Sequence, residues 1–160
     1  MSRLRLQAAQ GLAEGDRFST TRRFTAEEVS AFAAITRDYN PIHFEEGFAR
    51  ARGFEGAVCH GLLVAGLLTE LGGQLAWLAS GMSFRFLAPV YPGDAISCEL
   101  VLESLDEDGR ARASASMTNQ RGEPVLRAEL FGRLPAAPER ALLKDMLDRG
   151  DPTNLLETGE

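Results

Sequence analysis

The stretch GLLVAGLLTELGGQLAWLA, residues 61–79, decides the fold. It is apolar on almost every side, and a helix of that kind is buried rather than laid on a surface. Its longest apolar run, Leu62 to Leu68, falls far short of the roughly 20 residues that span a bilayer. Gly66, Gly72 and Gly73 each weaken a helix by about 1 kcal/mol relative to Ala. Their presence implies close packing against a sheet or another subunit.

Downstream of this helix the hydrophobic period changes to two. Met82, Phe84, Phe86 and Ala88 alternate with Ser83, Arg85 and Leu87. Pro89, Pro92, Gly93 and Asp94 then turn the chain. Three more strands follow, in AISCELVLESL (95–105), RARASASMTNQ (110–120) and EPVLRAELFGRL (123–134), with DEDG and RGE as turns. Four strands at hairpin spacing predict an antiparallel meander rather than alternating parallel strands and helices.

Upstream, RFSTTRRF (17–24) reads as a first strand. Thr25 and Glu28 have the spacing of a capping box. Val29, Phe32, Ala33 and Thr36 continue at helical spacing. Pro41 disfavours helix before it, so this helix ends near Arg37 or Asp38. EEGFARARGF (45–54) predicts a short helix stopped by Gly53. The order of strand, helices, buried helix and four strands is satisfied by an α+β architecture, a sheet wrapped around one buried helix. Residues 1–16, with Gly11, Gly15 and Asp16, read as an N-terminal arm or loop, and 17–134 as the domain. Residues 135–160 form a C-terminal extension with a helix at 138–148 and a polar tail, placed on the surface or at a subunit contact.

Composition narrows the function. The 160 residues are 44% hydrophobic and 25% charged, as in an ordinary globular domain. Seventeen basic residues against 23 acidic ones leave a formal charge of −6. No dense Lys/Arg stripe breaks that acidity, so no nucleic-acid partner is expected, and Arg3, Arg5, Arg22, Arg23, Arg50 and Arg52 read mostly as solvated. The N-terminus has no apolar run of signal-peptide type. Cys59 and Cys98 make no disulfide framework, which points to a reducing, cytoplasmic setting with no membrane partner.

Two places carry chemistry-bearing side chains. RDYNPIHFEEGF (37–48) ties Asp38, Asn40 and His43 together around Pro41. A histidine is suited to moving a proton near neutral pH, and a carboxylate beside it serves as partner acid or base. Pro41 stiffens the turn, and Asn40 can hydrogen-bond across it. The same spacing equally suits a plain polar turn at a helix end. In VCHGLL (58–63), Gly61 starts the buried helix, where free N–H groups and the helix dipole favour negative charge. Such an N–H can hold a developing oxyanion; equally, Gly61 can simply let the chain enter a crowded core. His60, a lone histidine before a helix, reads more as a structural hydrogen-bonder than as a catalyst. A metal centre would require Asp38, His43, Cys59 and His60 to converge without any metal-binding spacing, so no metal is expected. Cys59 reads as a buried thiol, and no GxSxG, GxGxxG or P-loop is present.

DYNPIH (38–43), HGLL (60–63) opening the helix, and FRFLAPVYPGD (84–94) together resemble the MaoC-like (R)-specific enoyl-CoA hydratases and 3-hydroxyacyl dehydratases, from about Phe24 to Leu134. The resemblance implies the hot-dog fold, a sheet around one central helix. It implies a catalytic dyad at Asp38 and His43 and an oxyanion-binding amide at Gly61. Asn40, His60, Thr69 and Arg37 fall at positions near the substrate. The family often has Gly where Arg37 stands, which would alter the turn or set a cation by the acyl-CoA entrance. It often has Ser in the buried helix where Thr69 stands. The implied reaction is (R)-specific hydration of trans-2-enoyl thioesters or the reverse dehydration, with one water activated by the dyad. No cofactor is expected beyond the CoA or acyl carrier protein that the substrate brings, and a homodimer is expected. Two other readings use the same scaffold. An acyl-CoA thioesterase would need an acid on the buried helix, for which Glu70 is the candidate, and a non-catalytic acyl-binding subunit would need a broken dyad.

Overall fold

The computed structural model describes residues 3–151 and residue 153. Helix α1 (Arg3–Gln10) precedes strand β1 (Arg17–Arg23) and helix α2 (Ala26–Thr36). A single 3₁₀ turn (Pro41–His43) and a short helix α3 (Glu46–Ala51) lead to the central helix α4 (Gly61–Gln74). Strands β2 (Leu78–Phe86), β3 (Ala95–Leu105), β4 (Arg110–Thr118) and β5 (Pro124–Arg133) follow, then helix α5 (Ala137–Asp148). The five strands form one antiparallel sheet in the order β1-β3-β4-β5-β2.

The alternating pattern explains which face of the sheet meets α4. Ile96, Cys98, Leu100 and Leu102 of β3 point inward, as do Ala111, Ala113, Ala115 and Met117 of β4. The alanines of β4 leave room for the helix, whose Val64, Ala65, Leu67, Leu68 and Leu71 are buried in the same core. Burying an aliphatic side chain of this size contributes about 1.5–3 kcal/mol, so this layer dominates stability. α2 starts with the expected capping box: the Glu28 N–H donates to Thr25 Oγ1 (3.2 Å) and the Thr25 N–H to Glu28 Oε2 (2.9 Å).

The chain departs from the sequence reading in three places. The central helix ends at Gln74 rather than Ala79. Ala76 turns left-handed (φ 52°), and the N–H groups of Ala76 and Trp77 close back on Gly73 O (3.2 Å) and Gly72 O (2.8 Å). That is a Schellman ending with alanine where glycine is usual, so WLA already belongs to the turn and β2. The strands are also not a four-stranded meander. Only β3-β4-β5 is one, while β2 lies beyond β5 at the far edge. The connection 87–94 carries two prolines and crosses the sheet's end instead of forming a hairpin. Leu87 N–H donates to Val125 O (2.9 Å), Cys59 N–H to Val90 O (2.8 Å) and Gly93 N–H to Phe24 O (2.7 Å) along the way. Eight residues reach about 27 Å, ample for the roughly 14 Å between strands three apart.

The third difference is at the N-terminus. Residues 3–10, expected as arm or loop, are helical and pack on α5. Arg5 is buried, not solvated. Its guanidinium donates to the carbonyls of Gln74 (2.9 Å) and Gly73 (2.8 Å) and pairs with Asp151 (3.0 Å). A cation set on the last carbonyls of α4 also complements the negative end of the helix dipole. In the described residues, no helix is long and apolar enough to cross a membrane.

Candidate active site

Asp38 and His43 are brought together by a run of local hydrogen bonds. α2 stops at Arg37, a non-glycine residue in the left-handed region (φ 61°, ψ 24°). That conformation costs an L-residue roughly 1–2 kcal/mol, and it reverses the chain toward the cleft. The Asp38 carboxylate then accepts from the Asn40 N–H (3.2 Å), and Asn40 Oδ1 accepts from the Ile42 N–H (3.2 Å). Asn40 thus caps the 3₁₀ turn that holds His43, with Pro41 as its first residue. Its side-chain oxygen is spent on the scaffold.

His43 Nδ1 lies 2.8 Å from the Val58 carbonyl. A carbonyl can only accept, so Nδ1 carries the hydrogen and Nε2 presents a lone pair. Nε2 faces Asp38 Oδ2 at 3.8 Å, too far for a direct hydrogen bond. A water about 2.8 Å from each atom fits this gap, seeing the two at roughly a right angle. The His43 side chain is 10% exposed and that of Asp38 is 52% exposed, so the pair joins the interior to solvent.

His43 sits on the wall between two cavities. One, of about 400 Å³, is lined by His43, Gly61, Ile42, Phe54, Val64 and Phe86 among others, and is largely apolar. The other, of about 520 Å³, is lined by Ser30, Phe44, Glu46, Glu55 and Tyr91 as well as His43. Gly61 opens α4 on the wall of the apolar cavity. The first intrahelical bond at this end is Val64 N–H to His60 O, and the N–H groups of Gly61, Leu62 and Leu63 have no carbonyl a turn earlier. A Cβ on Gly61 would lie 2.6 Å from the Phe86 ring, so the Phe86 ring lies directly against the start of the helix.

The remaining candidates fall elsewhere. His60 is buried beneath His43 and lines neither cavity. Thr69 is exposed two turns along α4, its hydroxyl donating to Gly66 O (2.7 Å), and it lines neither cavity. Arg37 contributes its backbone conformation, with an exposed side chain. Glu70 accepts from the Thr20 hydroxyl (2.9 Å) and lines neither cavity. Cys59 lines the apolar cavity, but burial first, then the charges of Asp94 and Glu28, push its thiol up to about 12. A thiol so rarely ionised is a poor nucleophile.

Side-chain atoms of Asp38, His43 and His60 lie within 4.8 Å of one another, a grouping the sequence did not predict. Ring geometry argues against a shared ion. The two imidazoles stack 3.7 Å apart at 26°, so their lone pairs lie in nearly parallel planes. Two contributors escaped the sequence reading. Val58 acts through its carbonyl, which leaves no side-chain signal. Phe86 was read only as one of the alternating apolar residues of a strand, yet it covers Gly61 while 54% exposed.

The model of the MaoC like domain matches residues 8–123. The (R)-specific enoyl-CoA hydratase of Aeromonas caviae is 36% identical over 133 residues, which span 80% of this chain and 99% of that protein. The 3-hydroxybutyryl-CoA dehydratase of Methylorubrum extorquens is 32% identical over 124 residues, 74% of this chain and 78% of that protein. The solved structure of the A. caviae (R)-hydratase superposes with a TM-score of 0.73 at 34% identity, covering 79% of this chain and 99% of that one. The architecture is therefore the hot-dog fold, and the chain belongs to the MaoC-like hydratase and dehydratase family.

Proposed function

We propose that the protein adds water across the double bond of trans-2-enoyl thioesters to give (R)-3-hydroxyacyl thioesters, or runs the reverse dehydration. The observation that carries this reading is the 3.8 Å gap between Asp38 Oδ2 and His43 Nε2, beside a helix N-terminus and an apolar cavity. The acyl chain lies in the apolar cavity with the thioester carbonyl toward the Gly61 amide. The water between Asp38 and His43 bonds through oxygen to C3 and loses one proton to one member of the dyad. The dyad then returns that proton to C2, and the charge that builds on the thioester oxygen is held by the amide and the helix dipole. With its hydrogen on Nδ1, His43 presents Nε2 as the acceptor for the water proton. Delivery of H and OH from one face gives syn addition. The relatives' names, which specify (R)-hydratases and 3-hydroxyacyl dehydratases, support the same chemistry.

This is acid–base chemistry, and the only cofactor-like group it calls for is the carrier on the substrate, CoA or acyl carrier protein. The thioesterase reading is weaker, because Glu70 is engaged by Thr20 away from the dyad and Cys59 is held as a thiol. We also place two copies together. Among the described strands β2 pairs only with β5 and leaves an open edge, which invites strand pairing. Leu78 on β2 and Leu62 on the outer side of α4 are 71% and 58% exposed. With both cysteines free and buried, the cytoplasm is the setting that fits.

The test is loss of enoyl absorbance over a ladder of enoyl-CoA lengths, for the wild type, Asp38→Asn and His43→Ala, with CoA release followed in parallel. Wild-type hydration with both variants folded and slowed at least about 100-fold is expected. CoA release without hydration would establish the thioesterase instead.

A further inference from the structure

His60 touches neither cavity, yet it meets both members of the dyad. It is 2% exposed. Its Nε2–H donates to the backbone carbonyl of Asp38 at 2.9 Å, which places the hydrogen on Nε2. Its ring stacks on that of His43, with centroids 3.7 Å apart and 26° between planes, and the Phe32 ring lies 5.1 Å away, tilted by 53°. Nδ1 is buried with no partner among the described residues. A buried polar atom without a partner costs stability, so the retention of an imidazole here, where a phenyl ring would pack without that cost, asks for a reason.

We infer that His60 is a positioning residue that fixes Asp38 and His43 relative to one another. The turn at Asp38 follows a left-handed Arg37, a conformation that persists only where its surroundings over-determine it. The hydrogen bond from His60 to the Asp38 carbonyl supplies that restraint, and the stacked face of His60 sets the plane of the His43 ring. Together they define the gap between Oδ2 and Nε2. His60 also lies face to face with the ring that takes the proton, 3.7 Å from the His43 centroid. The ionisable groups around His43 are Asp38, His60 and, across the outer cavity, Glu46, Glu55 and Tyr91. The kinetic half of this inference rests on the hydratase reading; the geometric half does not.

Two variants divide the roles. His60→Gln keeps an N–H donor for Asp38 and loses the ring, whereas His60→Phe keeps a ring and loses the donor. Both are expected to fold, by circular dichroism. Each should lower kcat about 10–100-fold with KM changed less than about threefold. In His60→Gln the acid-side midpoint of the kcat/KM profile should also move by about 0.5 pH unit. Both variants within twofold of wild-type kcat would overturn the inference, as would a loss confined to KM with an unmoved midpoint. Nitrogen-15 NMR of the intact wild type decides the matter even if the variants misfold, since the chain has only two histidines. The ring nitrogens should report hydrogen on Nε2 of His60 and on Nδ1 of His43. Hydrogen on Nδ1 of His60 would overturn the inference whatever the turnover. A wild type that hydrates nothing would sink the hydratase reading alone and leave the NMR to judge His60.

Discussion

Replacing Gly61 by alanine separates what its amide does from what its missing side chain allows. The new Cβ would lie 2.6, 2.8 and 3.0 Å from three carbons of the Phe86 ring. Comfortable carbon–carbon contact begins near 3.5 Å, so the ring must withdraw by about 1 Å. Phe86 can do this, because it is 54% exposed on an edge strand. Overpacking of this kind typically costs about 1–3 kcal/mol, partly offset by the roughly 1 kcal/mol that alanine gains over glycine in a helix. A net loss of about 1 kcal/mol in thermal or urea unfolding is therefore expected. Turnover should suffer far more, since the methyl stands where the thioester carbonyl must meet the helix amide. The N–H is still present in alanine, so a carbonyl kept from reaching it should cost up to the roughly 10²–10³-fold in kcat that an oxyanion donor supplies. The double variant Gly61→Ala with Phe86→Leu should recover the stability and leave the kcat defect in place, a non-additivity that a double-mutant cycle measures directly. Gly61→Ala with wild-type kcat would show that the thioester carbonyl does not approach across the side the methyl occupies. An activity defect cured by Phe86→Leu would show that crowding alone was responsible.

Three further outcomes follow from the fold. Ala76→Gly and Arg37→Gly each relieve a left-handed non-glycine residue and should raise stability by up to about 1 kcal/mol in urea titrations; Arg37→Gly also tests whether the turn before Asp38 tolerates extra freedom without loss of kcat. The hydroxyl of Thr153, then its N–H and the charge of Arg5, hold the Asp151 carboxyl below its ordinary 3.8 against the opposing effect of burial. A lowered folded value means stabilisation that is present above 3.8 and is lost as pH falls through the folded value. Asp151→Asn should thus cost about 2–3 kcal/mol at pH 7 and flatten the acid limb of the stability profile, measured by melting from pH 7 to 2. Burial pushes both the Cys59 and Cys98 thiols up to about 12, so iodoacetamide at pH 8 should label neither in the native protein and both after unfolding, by intact mass.

Much of this arrangement could be read from local pattern. The Thr25–Glu28 box, the alternation in β3, β4 and β5 and the proline-stiffened turn are all signals written within a few residues. The closeness of Asp38 and His43 follows from them, because six residues with successive side-chain-to-backbone bonds leave little room for the pair to part. What sequence period does not encode is which strand lies beside which. β2 and β3 are consecutive in the chain and three places apart in the sheet. The end of α4 was overrun because Ala76 adopts a glycine-like conformation without being glycine. Helix α1 was missed because the partners that bury Arg5 lie 68, 69 and 146 residues away. The place of His60 depends likewise on a carbonyl 22 positions earlier and on a ring in another turn.

The bonding of Arg5 has a consequence for how the molecule opens. One guanidinium serves α1, the final turn of α4 and the segment at Asp151 at the same time. Detaching any one of these would strand a buried cation beside orphaned carbonyls, a penalty borne by the other two. The two outer helices and the tail end of the core helix should therefore exchange their amide hydrogens as one cooperative unit, protected together and released together. The opposite end of α4, beside the proposed dyad, is not tied into that unit by Arg5.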